Sequence, residues 1–152
     1  MKEIIIILDN IRSALNVGAI FRTCDGAAVK KIYLIGITPQ PGHQKLIKTA
    51  LGAEKYIEWE YCKNIDEIID RLVKENYRIY SVEQTSTSII YSEVSYPQKT
   101  VLIFGHEITG VSATALEKSK AHIQIPMLGK KNSLNVSTCV GIIIYYIRTQ
   151  DL

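Results

Sequence analysis

A chain of 152 residues suits one compact domain, since a core of this size buries roughly 68–70% of the unfolded surface. Hydrophobic residues make up 47% and charged residues 22%, which excludes a disordered chain. With 18 Lys+Arg against 15 Asp+Glu, the formal net charge of +3 permits a nucleic-acid partner held by local patches but supplies no strong overall field.

The opening MKEIIIILDN carries five consecutive apolar residues before Asp9, too few for a signal-peptide core or a membrane span, and reads as a buried strand of a cytoplasmic protein. Apolar runs rich in Ile, Val and Tyr predict strands at Glu3–Leu8, Lys31–Gly36, Tyr56–Tyr61, Arg78–Glu83, Thr100–Phe104 and His122–Ile125. Helical spacing predicts helices at Val17–Val29, Gln44–Leu51, Ile65–Asn76 behind Asn64, Ala113–Ser119 behind Ser112, and Leu134–Arg148. Such alternation predicts an α/β fold, a mostly parallel sheet with helices on both faces, built as a single domain over residues 1–152. The polar stretch Gln84–Gln98 reads as a long surface connection. Cys24, Cys62 and Cys139 are odd in number, widely spaced and without metal-ligand rhythm relative to the three histidines, as reduced thiols would be.

Ligands of parallel α/β sheets bind beyond the carboxyl ends of the strands. That directs attention to Asp9–Asn16, Gly105–Val111 and Pro126–Ser133. None carries a GxGxxG fingerprint, a P-loop Lys-Ser/Thr, a GxSxG elbow or an HExxH helix, which removes most of the case for a dehydrogenase, a kinase or a serine hydrolase.

Three polar clusters remain. In Asn16-Val-Gly-Ala-Ile-Phe-Arg22, Asn16 is positioned to cap a helix, and Arg22 lies about two turns in, with a planar fork suited to phosphate oxygens. Taken alone, an ordinary cap and an ordinary surface arginine explain them better than a phosphate site does. In FGHEITG, Gly105 and Gly110 flank His106 and Glu107, whose carboxylate can accept a hydrogen bond from a ligand. In IPMLGKKNSLNVS, Ser133 and Asn135 bracket the start of the last helix, and Lys130 and Lys131 are either solvated charges or phosphate contacts.

Together, NVGAIFRTCDGAAV, VLIFGHEITGVS and IQIPMLGKKNSLNVSTCVGIIIYY resemble the SpoU (TrmH-like) branch of the SPOUT RNA methyltransferases over nearly the whole chain. The resemblance implies a C-terminal deep trefoil knot that binds S-adenosylmethionine without a metal, and methyl transfer to a ribose 2′-hydroxyl of tRNA or rRNA. It implies cofactor contacts at Val82, Gly105, Ile125, Met127, Ser133 and Leu134, a catalytic set of Asn16, Arg22, Glu107, Ser133 and Asn135, and RNA contacts at Arg22, Lys130 and Lys131. It further implies a homodimer whose active site is completed across the interface, with no membrane or DNA partner. The chain resembles family members that lack an added RNA-binding domain. Two alternatives stay open: a knotted dimer that binds without transferring methyl groups, and a base-modifying SPOUT enzyme.

Overall fold

In the computed structural model, which describes all 152 residues, seven strands form one sheet in the order β3-β2-β1-β6-β4-β7-β5. They are β1 (Glu3–Asp9), β2 (Lys31–Ile35), β3 (Glu58–Cys62), β4 (Arg78–Val82), β5 (Ile89–Ile90), β6 (Lys99–Gly105) and β7 (Ala121–Gln124). Every strand pairing is parallel. Central strands of such a sheet are covered on both sides, which is why β1 can be an unbroken isoleucine and leucine run.

Alternation along each strand separates two cores. Ile4, Ile6 and Leu8 of β1, with Leu102 and Phe104 of β6, face α1 (Ala14–Gly26), α2 (Gln44–Ala50) and α5 (Val136–Thr149). Ile5 and Ile7, with Val101 and Ile103, face α3 (Ile65–Lys74) and α4 (Ala113–Lys118). Helix α3 shows how the sequence builds such an element. Asn64 Oδ1 accepts from the Asp66 N–H at 2.9 Å, Asp66 and Glu67 occupy the electropositive first turn, and Arg71 and Lys74 the last. Its buried stripe, Ile65, Ile68, Ile69 and Leu72, contributes about 1.5–3 kcal/mol per side chain. No helix is long and apolar enough to cross a membrane.

The structure moves several predicted boundaries. Helix α1 starts at Ala14 rather than Val17, because the Ser13 side chain caps it by accepting from the Asn16 N–H; Asn16 therefore lies inside the helix and is not its cap. Helix α5 starts at Val136 rather than Leu134, with Asn135 itself capping through the Ser137 N–H. Strand β3 begins at Glu58 because a short 3-10 turn over Ala53–Lys55 precedes it. The connection after β4 is less irregular than its polarity suggests, since it adds the two-residue β5 beside β7. Ser112 precedes α4 as expected, but its side chain makes no cap bond.

Candidate active site

Strands β6, β4 and β7 are neighbours in the sheet, so their carboxyl ends open side by side. Around these ends lies a cavity of about 750 Å³, within the range of small-ligand sites. Val82 leaves β4 into it, Gly105 and Glu107 follow β6, Ile125 and Met127 follow β7, and Ser133, Leu134 and Asn135 lead into α5. All six expected cofactor contacts thus line a single space, with Phe104 and Val136 adding apolar wall.

The third loop is poorly used by the fold itself. From Ile125 to Leu134, no backbone N–H donates a hydrogen bond within the chain. Free amides beside the apolar side chains of Val82, Ile125 and Leu134 suit an adenine ring, which needs edge hydrogen bonds and flat apolar faces rather than a phosphate cradle. The residues present therefore fit a nucleoside-type cofactor.

The second loop is tightly tied. His106 and Gly110 exchange backbone hydrogen bonds of 3.1 and 2.9 Å, and His106 Nδ1 accepts from the Ile108 and Thr109 N–H groups. That leaves the imidazole proton on Nε2. Gly105 packs so closely on this turn that a Cβ there would sit 2.2 Å from the Val111 nitrogen. Gly110 has φ +75°, where side chains are strained.

Glu107 is not free to the extent its sequence position suggests. Its Oε1 accepts from the Arg12 N–H at 2.9 Å, and Oε2 accepts from the Arg12 and Ser13 N–H groups at 3.2 and 3.3 Å. It therefore fastens the first loop to the second. Asn16 joins the site indirectly: Asn135 Nδ2 donates to Asn16 Oδ1 at 3.0 Å, bringing the first cluster to the cavity rim.

Three expected residues lie elsewhere in the chain. Arg22 is exposed on α1, in a shallow depression with Lys48 and Tyr145, and is not a lining residue of the cavity. Lys130 and Lys131 are exposed on the loop outside it. Sequence reasoning missed Glu83, half-buried at the cavity wall, where Oε2 accepts from the Val111 N–H at 2.9 Å and Oε1 from the Gln84 N–H at 3.1 Å. A carboxylate closing an apolar strand was the available signal. Cys139 also lines the cavity; burial raises its thiol pKa, a backbone hydrogen bond lowers it, and the charge of Glu83 raises it further. No three His, Cys, Asp or Glu side chains group as a metal site requires.

A parallel α/β sheet with a nucleoside-sized cavity built from three strand-end loops defines the class. The model of the SpoU rRNA methylase family matches residues 3–145, and the chain belongs to that family. A curated relative, the tRNA (guanosine(18)-2′-O)-methyltransferase of Aquifex aeolicus, is 32% identical over 152 residues, covering 98% of this chain and 70% of its own. Among solved structures, the A. aeolicus TrmH/SpoU tRNA modifying enzyme superposes with TM-score 0.87 at 31% identity, covering 99% of this chain and 76% of its own. An AdoMet-bound rRNA methyltransferase from Sinorhizobium meliloti gives TM-score 0.90 at 26% identity, over 99% of this chain and 57% of its own.

Proposed function

We propose that this protein transfers a methyl group from S-adenosylmethionine to a ribose 2′-hydroxyl of tRNA or rRNA in the cytoplasm, as one catalytic domain over residues 1–152. The observation that carries this reading is the convergence of Val82, Gly105, Ile125, Met127, Ser133 and Leu134 on one cavity whose third loop keeps its amides free. A likeness to an AdoMet-bound relative supports the same cofactor. We further propose that the segment from β6 to α5 threads as a deep trefoil knot, a rare exception to unknotted chain paths.

When bound, the cofactor supplies an electrophilic methyl group on a sulfonium sulfur. The apolar walls at Ile125 and Leu134 and the backbone of the third loop hold its adenosine portion. Ser133 and Asn135, at the electropositive start of α5, orient the incoming ribose, with Asn16 bracing Asn135. With the cofactor bound, these residues would hold the ribose 2′-hydroxyl toward the methyl group, which would pass to that oxygen and leave a neutral thioether, the hydroxyl proton going to water or an adjacent acceptor. Arg22 is a poor proton acceptor, because a guanidinium offers five N–H donors and no acceptor. Its role is to grip the phosphate beside the target ribose, as a fork that sets an in-line geometry.

Arg22 lies outside the cavity of its own protomer, which supports a homodimer in which one subunit's Arg22 completes the other's site. Exposed apolar side chains at Leu15 of α1, Leu51 beyond α2 and Tyr145 of α5 lie on these same elements and suit such an interface. Lys130 and Lys131 add phosphate contacts on the RNA side.

The test is nucleoside mass spectrometry of unmodified tRNA and rRNA incubated with the protein and methyl-labelled S-adenosylmethionine. A labelled 2′-O-methyl nucleoside is the expected product. Label on a base would assign the protein to a base-modifying branch, and binding without product on any RNA would favour a binding-only role.

A further inference from the structure

Among the residues lining the cavity, Glu83 and Glu107 are the only carboxylates, and no lysine or arginine of the same chain lines it. The two carboxylates differ in how they are used. Glu107 is at the exposed edge, and both its oxygens are turned to the amides of the first loop. Glu83 is half-buried between the end of β4 and the second loop, and each of its oxygens accepts one backbone N–H, leaving lone pairs over. Oε2 lies 2.1 Å from where a Cβ on Gly110 would sit, so the absence of a side chain at 110 admits the carboxylate to this position. The charge of Glu83 is also felt inside the cavity, since it adds to the elevation of the Cys139 thiol pKa.

A negative, partly desolvated cavity discriminates ligands by charge. Resting on the function proposed above, we infer that Glu83 is a specificity-determining residue that makes the site prefer the cationic cofactor over its neutral product. S-adenosylmethionine carries a sulfonium, an ammonium and a carboxylate, a net charge of +1. Transfer converts the sulfonium to a thioether, and S-adenosylhomocysteine is left with no net charge. Attraction to Glu83 therefore falls when the methyl group leaves, which favours product release and exchange for fresh cofactor. A purely structural Glu83, acting only as a clamp on Val111 and Gln84, would affect both ligands alike.

The experiment is isothermal titration calorimetry of the intact protein with S-adenosylmethionine and S-adenosylhomocysteine, using wild type, Glu83→Gln and Glu83→Asp, with thermal melting as a control on folding. Glu83→Gln keeps an oxygen for the Val111 amide but removes the charge; Glu83→Asp keeps the charge on a shorter arm. The expected result is a loss of roughly tenfold in the ratio of the two affinities for Glu83→Gln, through weaker S-adenosylmethionine binding, with the ratio largely retained in Glu83→Asp. Parallel weakening of both ligands, or an unchanged ratio in Glu83→Gln, would overturn the inference while leaving the proposed function standing. Wild type that binds neither ligand would overturn the cofactor assignment and this inference with it.

Discussion

Asn135 Nδ2 donates to Asn16 Oδ1 at 3.0 Å, joining the cap of α5 to the first turn of α1 across 119 residues of sequence. The Asn135 Oδ1 is already committed to the Ser137 N–H and hydroxyl, so its amide group is aimed at α1 by the cap geometry. Asn16 and Asn135 should therefore behave as one unit. Asn16→Ala and Asn135→Ala are expected each to slow methyl transfer at least tenfold, and the double variant to be little worse than either single one. Single-turnover rates on a substrate RNA check this; simple multiplication of the two losses would refute the coupling.

Arg22→Ala should abolish transfer while leaving S-adenosylmethionine affinity within about twofold, because Arg22 does not line the cavity. If the site is shared between subunits, coexpressing Arg22→Ala with a cavity-blocking Leu134→Arg chain should restore up to about a quarter of wild-type activity, through mixed dimers with one intact site. Calorimetry tests the first half of this expectation, and the activity of the coexpressed mixture tests the second, with affinity-separated mixed dimers expected to reach up to about half.

Removing the Glu107 carboxylate uncouples the first loop from the second. Glu107→Ala is expected to cost only about 1 kcal/mol in urea unfolding, since the Arg12 and Ser13 amides it leaves behind are near solvent. The loss in transfer rate should be much larger, because the loops would no longer hold a common geometry.

Arg148 has the opposite profile. Only 7% exposed, it donates to the Ala27, Ala28 and Lys2 carbonyls and to Asp151 Oδ2, tying the ends of α1 and α5 to the start of β1. Arg148→Met should lower unfolding stability by about 3 kcal/mol by orphaning these acceptors, with cofactor affinity per folded molecule unchanged.

Asp151 gives a pH signature. The Lys2 backbone N–H, then the Lys2 ammonium and Arg148, outweigh burial and hold its carboxyl down to about 2, below the ordinary 3.8. A depressed folded-state pKa contributes stability that is complete above the unfolded value and lost as pH falls through the folded one. Asp151→Asn should therefore melt a few degrees below wild type at pH 7, and the gap should close between about pH 4 and pH 2. A gap undiminished at pH 2 would count against the ion pair.

Much of the fold was legible because it rests on local periodicity. The β1 run, the Asn64 cap of α3 and the alternation of strand and helix are written in neighbouring residues, and the six major strands fell within about two residues of expectation. Helix starts were less legible, since Ser13 and Asn16 are both good capping residues and only the backbone path after β1 selects Ser13. Strand β5, two residues long, exists only because β7 offers it an edge, and no local pattern announces it.

For the site, the sequence by itself determined which residue types sit at strand ends, and with them the family. Tertiary structure alone decided their employment. It inserted β6 between β1 and β4 and set β7 beyond β4, so that loops distant in the chain open into one cavity. It turned Glu107 onto the first-loop amides, left Arg22 on an outer face and brought Glu83 to the wall. The physical reason is that a carboxylate's role depends on which donors face it, and those donors come from segments that only the sheet order brings within reach.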